Sequence, residues 1–203
     1  FVENIFEELD SEKEWYLDKK KNILYLKPSA GINPDKAIIE VAYLETFIKI
    51  AGSESEPVHY LSFDGFTFNR SIRTFMKTRD PLLRSDWTIY RGGAVFIEGA
   101  ENCSIINCDF SQIGSNAVFI NNYNRYVDII GCHIHDIGAS AICFVGDTLA
   151  VRNPKYLPYG QPVTDAELDM TPGPKTNNYP AHCRADNNLI HSIGKVEKQV
   201  SGV

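Results

Sequence analysis

His135 and His191 hold the same place in two copies of one eight-residue phrase, "GCHIHDIG" at 131–138 and "NNLIHSIG" at 187–194. A third copy, "NCDFSQIG" at 107–114, has Ser111 at that place and Asp109 two positions before it, where the second copy has His133. One acid and three imidazoles at matched places could do chemistry if the chain stacks its copies. A carboxylate beside an imidazole fixes its tautomer, which suits general acid/base work on a hydroxyl. His-x-His on one strand face with a third His could hold a divalent metal, but no fourth ligand is evident in the loops, so no metal ligand is assigned. The plain alternative is a set of polar side chains on a solvated or ligand-contacting face.

The repeat itself must position them. The first two copies lie 24 residues apart and the next two 56, which is 24 plus an insertion of 32. Recurrence of that length marks stacked coils. Within the phrases Ile106, Cys108, Phe110 and Ile130, Cys132, Ile134 alternate with polar residues, and a period of two means strands. The runs "GGAVFIEG" (92–99), "SNAVFINN" (115–122) and "ASAICFVGD" (139–147) complete a cycle of strand, short turn, strand and Gly turn. Strands that recur with no helix between them pair in parallel, each coil about 4.8 Å above the last, and equivalent side chains stack in columns. Two outward columns follow: Asp109, His133, Leu189, and Ser111, His135, His191.

An earlier coil, "VHYLSFDGFTF" (58–68), puts Phe66 and Phe68 in the columns of Cys108 and Phe110, and "ETFIKIAG" (45–52) supplies a first strand. Gly114, Gly138 and Gly194 close the phrases, where a turn needs positive φ or close backbone approach; Asn107, Asn187 and Asn188 suit polar ladders at the turns. The pattern predicts an all-β fold, a parallel β-helix, right-handed by the crossover rule. Residues 1–30 differ: "EWYLDKKKNILYLKP" alternates on both sides of a Lys-rich turn, a β-hairpin expected to pack on or beside the first coil. The organisation read is a hairpin segment, 1–30, and one incomplete domain of coils, 31–203.

Insertions interrupt the coils at 70–92 and 148–181. With the first in the turn after the repeated strand and the second in the turn before it, they would flank its polar face and build a groove. The first carries Arg70, Arg73, Arg79, Arg84, Trp87 and Tyr90; the second carries Arg152, Tyr156, Tyr159, Asp165, Glu167, Asp169 and Tyr179. Aromatic faces and charged hydrogen-bonding groups suit sugars. Ser111, His191, Trp87, Tyr90, Arg152 and Tyr156 are therefore the candidate binding residues for a poly- or oligosaccharide, and Asp109, His133, His135 and Asp147 the catalytic candidates. Asp147, at the mouth of the second insertion, also reads as a turn acid.

A formal charge of -6 argues against a nucleic acid or an anionic membrane surface as partner. No apolar run approaches the roughly 18 residues of a membrane span. The five cysteines show no CxxC spacing, and Cys108 and Cys132, sharing an inward column, read as a reduced stack. A start at Phe1 is expected of a processed chain or a piece of a longer one. Ser201, Gly202 and Val203 fall on the columns of Ser140, Ala141 and Ile142, so a truncated helix is expected, its open edge completed by further coils of the parent or by another chain.

The hairpin "EWYLDKKKNILYL", the coils "AVFIEGAENCSIINCDFSQIG" and "HIHDIGASAICFVGD", and the closing "IHSIGKVEKQVSGV" together resemble the right-handed β-helix proteins of polysaccharide-degrading bacteria. Among these the chain is similar to a glycoside-hydrolase family that includes α-L-fucosidase and endo-xylanase activities. The resemblance covers nearly the whole chain. It implies a single-stranded, pectin-lyase-like β-helix, hydrolysis of a plant or host polysaccharide, export to the periplasm or cell surface, and catalytic carboxylates on later coils beyond this sequence, so the chain alone is expected to be inactive. A non-catalytic glycan-binding module and a polysaccharide lyase are the alternatives. No cofactor is expected; calcium would enter only with the lyase, whose clustered acids are replaced in these columns by His and Ser.

Overall fold

The computed structural model describes residues 3–77, 80–81, 88–153 and 164–203. The chain divides into two compact units, Phe1–Val41 and Ala42–Val203. In the first, β1 (Trp15–Asp18) and β2 (Ile23–Leu26) form an antiparallel hairpin with Trp15 opposite Leu26. Its turn ends at Asn22, whose φ of 55° is a conformation Asn tolerates better than most residues. Phe6 packs edge-on against Tyr16 and Tyr25 at centroid distances of 5.2 and 5.3 Å.

The second unit is the coil. Its strands run β3 (Ile48–Ala51), β4 (Val58–His59), β5 (Ser62–Asp64), β6 (Thr67–Asn69), β7 (Asp80–Pro81), β8 (Thr88–Ile89), β9 (Val95–Glu101), β10 (Ser104–Ile106), β11 (Asp109–Ile113), β12 (Val118–Arg125), β13 (Asp128–Ile130), β14 (His133–Ile137), β15 (Ile142–Val145), β16 (Pro180–Ala181), β17 (Arg184–Asp186) and β18 (Leu189–His191). Sheet 1 is ordered β15-β12-β9-β3, with β4 beside the second half of β9 and β16 beside that of β12; sheet 2 is β17-β13-β10-β5; sheet 3 is β18-β14-β11-β6. Pairing in all three is parallel, whereas β7 and β8 form a small antiparallel ribbon in the first insertion.

Parallel register stacks like on like. Ile50, Ile97 and Ile120 form one inward column, Ile105 and Ile129 another, and Phe68, Phe110 and Ile134 a third, all buried. At every corner between sheets 2 and 3 one residue takes positive φ: Gly65, Asn107, Gly131 and Asn187. Asn and Gly are the residues that enter this region at least cost. The corner amides form a ladder: Asn107 donates to Asp64 Oδ1 (3.1 Å), while Asn188 accepts from the Cys132 amide (2.9 Å) and donates to the Ile129 carbonyl (2.8 Å). Gly114 and Gly138 close their phrases through close approach rather than positive φ, and Gly194 through a φ of 68°. All five cysteines are free thiols, and burial pushes Cys143 up to about 12. At the far side of sheet 1, Ala141 and Ile142 donate to the carbonyls of Ser201 and Gly202, the register read from the sequence.

Two expectations are corrected. Phe66 keeps the Cys108 register but is 52% exposed, whereas Phe68 in the same coil is buried and stacks on Phe47. The second insertion does not lie in the turn before the repeated strand. It leaves sheet 1 after β15 and re-enters the same sheet at β16, so β17 separates it from β18. The β12 strand runs unbroken through eight residues, and the insertion splits the strand paired with it in the next coil.

Residues 195–197 fold onto the last described corner, with Val196 and Glu197 both donating to the Gly138 carbonyl. Burial raises the Glu197 carboxyl above its ordinary 4.5. The folded state therefore binds the proton more tightly than the unfolded chain, and stability falls as pH rises through the window above 4.5. Glu197→Gln should melt at a higher temperature than the parent at neutral pH and at the same temperature below that window. A parent-like melting profile across the whole pH range would contradict this.

Candidate functional site

Sheet 3 presents the histidine face. Register pairs Asp109 with His133 and Leu189, and Ser111 with His135 and His191, so both outward columns form as read. The three rings pack together, with centroids 4.2 Å apart for His133 and His135, 5.2 Å for His133 and His191, and 5.3 Å for His135 and His191. Asp109 Oδ2 lies 3.1 Å from His133 Nδ1 and 3.6 Å from His135 Nε2. His135 Nδ1 donates to Asp136 at 2.9 Å, and His191 Nδ1 lies 3.0 Å from the Ser192 hydroxyl. The His135 bond, then the ammonium of Lys195, hold the Asp136 carboxyl below its ordinary value. Ser111 stands beside Asp109 on the same face, half-buried.

The other predicted residues disperse. Both carboxylate oxygens of Asp147 are engaged, Oδ1 by the Leu149 amide and Oδ2 by the Asn178 side chain, each at 2.8 Å, so it caps the short helix Thr148–Ala150 and pins the returning insertion. Tyr90 donates its hydroxyl to Glu45 at 2.9 Å, and burial raises its phenol. Arg152 binds Asp169, Gly173 and Pro174, which spends the guanidinium inside the insertion. Its ion pair and the Thr171 hydroxyl and amide hold Asp169 down at about 2, with the Thr171 bonds the larger cause. Trp87 and Tyr156, with Arg79, Arg84 and Tyr159, lie outside the described residues.

Sequence reasoning missed a second polar face, on the outside of sheet 1. Between Asn121 and Asn124 β12 bulges, two residues opposing Gly99 alone. The bulge brings Asn121 and Asn122 onto Glu98, whose two oxygens accept their side-chain amides at 3.1 and 2.8 Å. Tyr123 donates its hydroxyl to Glu101, and that bond first, burial second, raises the phenol; His59 lies 3.7 Å from the other Glu101 oxygen. Arg91 reaches Asn121 and the Gly146 carbonyl (2.7 and 3.0 Å), while Arg125 stacks on Tyr123 and Tyr179 at 4.4 and 5.3 Å. The returning insertion closes the set through Asn178, which accepts from the Tyr123 amide at 2.9 Å. One sequence signal could have found this: "NNY" occurs at 121–123 and again at 177–179, the same 56-residue step as the last two phrases.

These sheets and corners define a right-handed parallel β-helix, and residues 81–153 match the family described as right-handed β-helix region. Over 95% of its length the chain is similar to a solved glycoside hydrolase, at 21% sequence identity and a TM-score of 0.68. It spans 35% of that enzyme's length. No curated protein matches it. Among the described residues no helix is long and apolar enough to cross a membrane.

Proposed function

We propose that the chain is part of a carbohydrate-active β-helix enzyme that hydrolyses glycosidic bonds, and that the outer face of sheet 1 holds its poly- or oligosaccharide. The observation that carries this reading is the bulge of β12, which gathers two carboxylates, three amides, a tyrosine and two guanidinium groups beneath an insertion that returns over them. Carboxylates and amides bond sugar hydroxyls, and tyrosine offers a ring to their flat C–H faces. Likeness of fold to a glycoside hydrolase is consistent with it.

Hydrolysis needs two carboxyl groups facing each other across the scissile bond, roughly 5–10 Å apart. On this face Glu98 is already held by Asn121 and Asn122 and Glu101 by Tyr123, while Asp147 is spent on a cap and Asp109 faces imidazoles. Following the resemblance to β-helix glycoside hydrolases, the reading gives this chain the grip and expects the carboxyl pair on further coils of the enzyme.

Affinity electrophoresis of the chain in gels carrying soluble plant and host polysaccharides tests it. At least one gel should retard the chain, and Tyr123→Ala or Glu98→Ala should weaken that binding at least about tenfold, since each removes a contact to a charged or aromatic partner. The same chain should release no reducing ends. Absence of retardation in every gel, or retardation unaltered in both variants, would overturn the assignment of this face.

A further inference from the structure

The histidine face of sheet 3 takes no part in the glycan reading, and its geometry makes a separate demand. Each of the three imidazoles has its Nδ1 beside an oxygen: His133 at Asp109 (3.1 Å), His135 at Asp136 (2.9 Å) and His191 at Ser192 (3.0 Å). An imidazole whose Nδ1–H is given to a carboxylate or hydroxyl carries its lone pair on Nε2. With both rings protonated at Nδ1, two of those lone pairs converge, since His133 Nε2 and His191 Nε2 lie 3.0 Å apart. A cation between them satisfies both nitrogens; without one, the Ser192 hydroxyl donates to His191 Nδ1 and His191 Nε2–H bonds His133 Nε2.

The backbone builds this arrangement twice. Asp136 and Ser192 both have a φ of 53°, which breaks the strand alternation and swings each side chain to the side of the histidine before it. Orientation of a ligating imidazole by an oxygen at its second nitrogen is the usual support of a metal site.

We infer that His133, His135 and His191 bind one divalent transition-metal ion of the zinc class, oriented by Asp109, Asp136 and Ser192. One ligand nitrogen from each ring lies within 4.8 Å of the others. A tetrahedral ion with bonds of 2.0–2.1 Å needs them about 3.3 Å apart, so closure asks only small ring movements. Neutral imidazoles select zinc and its transition-metal neighbours over calcium or magnesium, which take oxygen. His133 and His135 are 41% and 23% exposed, so an ion has a path in, and the fourth position is open to water or a ligand oxygen. The sequence reading set the metal aside for want of a fourth ligand; a three-histidine site needs none from the protein. The ion would clip β14 to β18, two strands separated in sequence by the 56-residue step.

The test is isothermal titration of the full chain, free of any histidine tag, with Zn²⁺, paired with X-ray absorption of the loaded protein. One equivalent should bind with a first shell of nitrogen and oxygen only, and melting should rise by roughly 5–10 °C at a hundredfold excess over Kd. His191→Asn, at the exposed edge of the sheet, should bind at least about a hundredfold more weakly. Asp136→Ala, which leaves all three ligands, should lose about 10–100-fold. No stoichiometric binding to the parent chain overturns the site, as does sulfur in the first shell or unchanged affinity in His133→Ala/His191→Ala. Should that double variant fail to fold, the titration and absorption spectrum of the parent decide alone. Neither outcome bears on glycan retardation.

Discussion

Phe110→Ala should destabilise the coil by about 3–5 kcal/mol and lower its melting temperature by roughly 10 °C. The Phe110 side chain is fully buried, stacked on Phe68 at a centroid distance of 4.8 Å on one side and registered with Ile134 on the other. A β-helix has a thin core, only as wide as the space between its three sheets. Neighbouring side chains are held at the strand spacing by the ladders above and below, so the void left by a phenyl ring cannot collapse. Phe66→Ala is the internal control. Phe66 follows the same repeat, yet is 52% exposed, so its removal should cost under about 1 kcal/mol. Denaturant midpoints of the two variants, with m-values to confirm two-state behaviour, give the comparison. Equal losses would mean that burial in the column does not set the stability of the rung.

That contrast shows how far the sequence could be read. The step of 24 residues and the Gly or Asn at each corner made the rung legible, and the register of Asp109, His133 and His135 followed from alternation alone. Alternation fails wherever the backbone leaves the extended region. It would send Asp136 to the face opposite His135, but a φ of 53° returns it to the same side, so the oxygen partners of the imidazoles could not be read. The bulge in β12 fails the pattern in the same way: its extra residue re-phases Tyr123 and Arg125 against Glu98, which hid the polar face of sheet 1. The second insertion was misplaced for a different reason. Comparison of the histidine phrases bounds its position only to the stretch between two copies, whereas the repeated "NNY" fixes the point of re-entry.

The glycines that end the phrases give the second large effect. Gly138→Ala should cost about 3 kcal/mol or more, at the upper end of what overpacking does. A Cβ at Gly138 would fall 2.5 Å from the Gly114 carbonyl oxygen and 2.7 Å from its carbon, and one at Gly114 would fall 2.5 Å from the backbone of Ile72. Those neighbours are main chain, so no rotamer change relieves the contact. The coils are pinched together at this corner by the Gly138 amide on the Ile113 carbonyl (2.6 Å) and the Ala139 amide on that of Ser115 (3.1 Å). Spreading them to admit a methyl group breaks these bonds and unseats residues 195–197, whose amides dock on Ile137 and Gly138. Gly65→Ala separates this cause from backbone strain: Gly65 has a φ of 74° with open space around it, so an added methyl pays only the left-handed penalty of about 1–2 kcal/mol. If the denaturant midpoint of Gly138→Ala falls no further than that of Gly65→Ala, close approach of the coils is not what keeps the residue glycine, and the corner is free to widen.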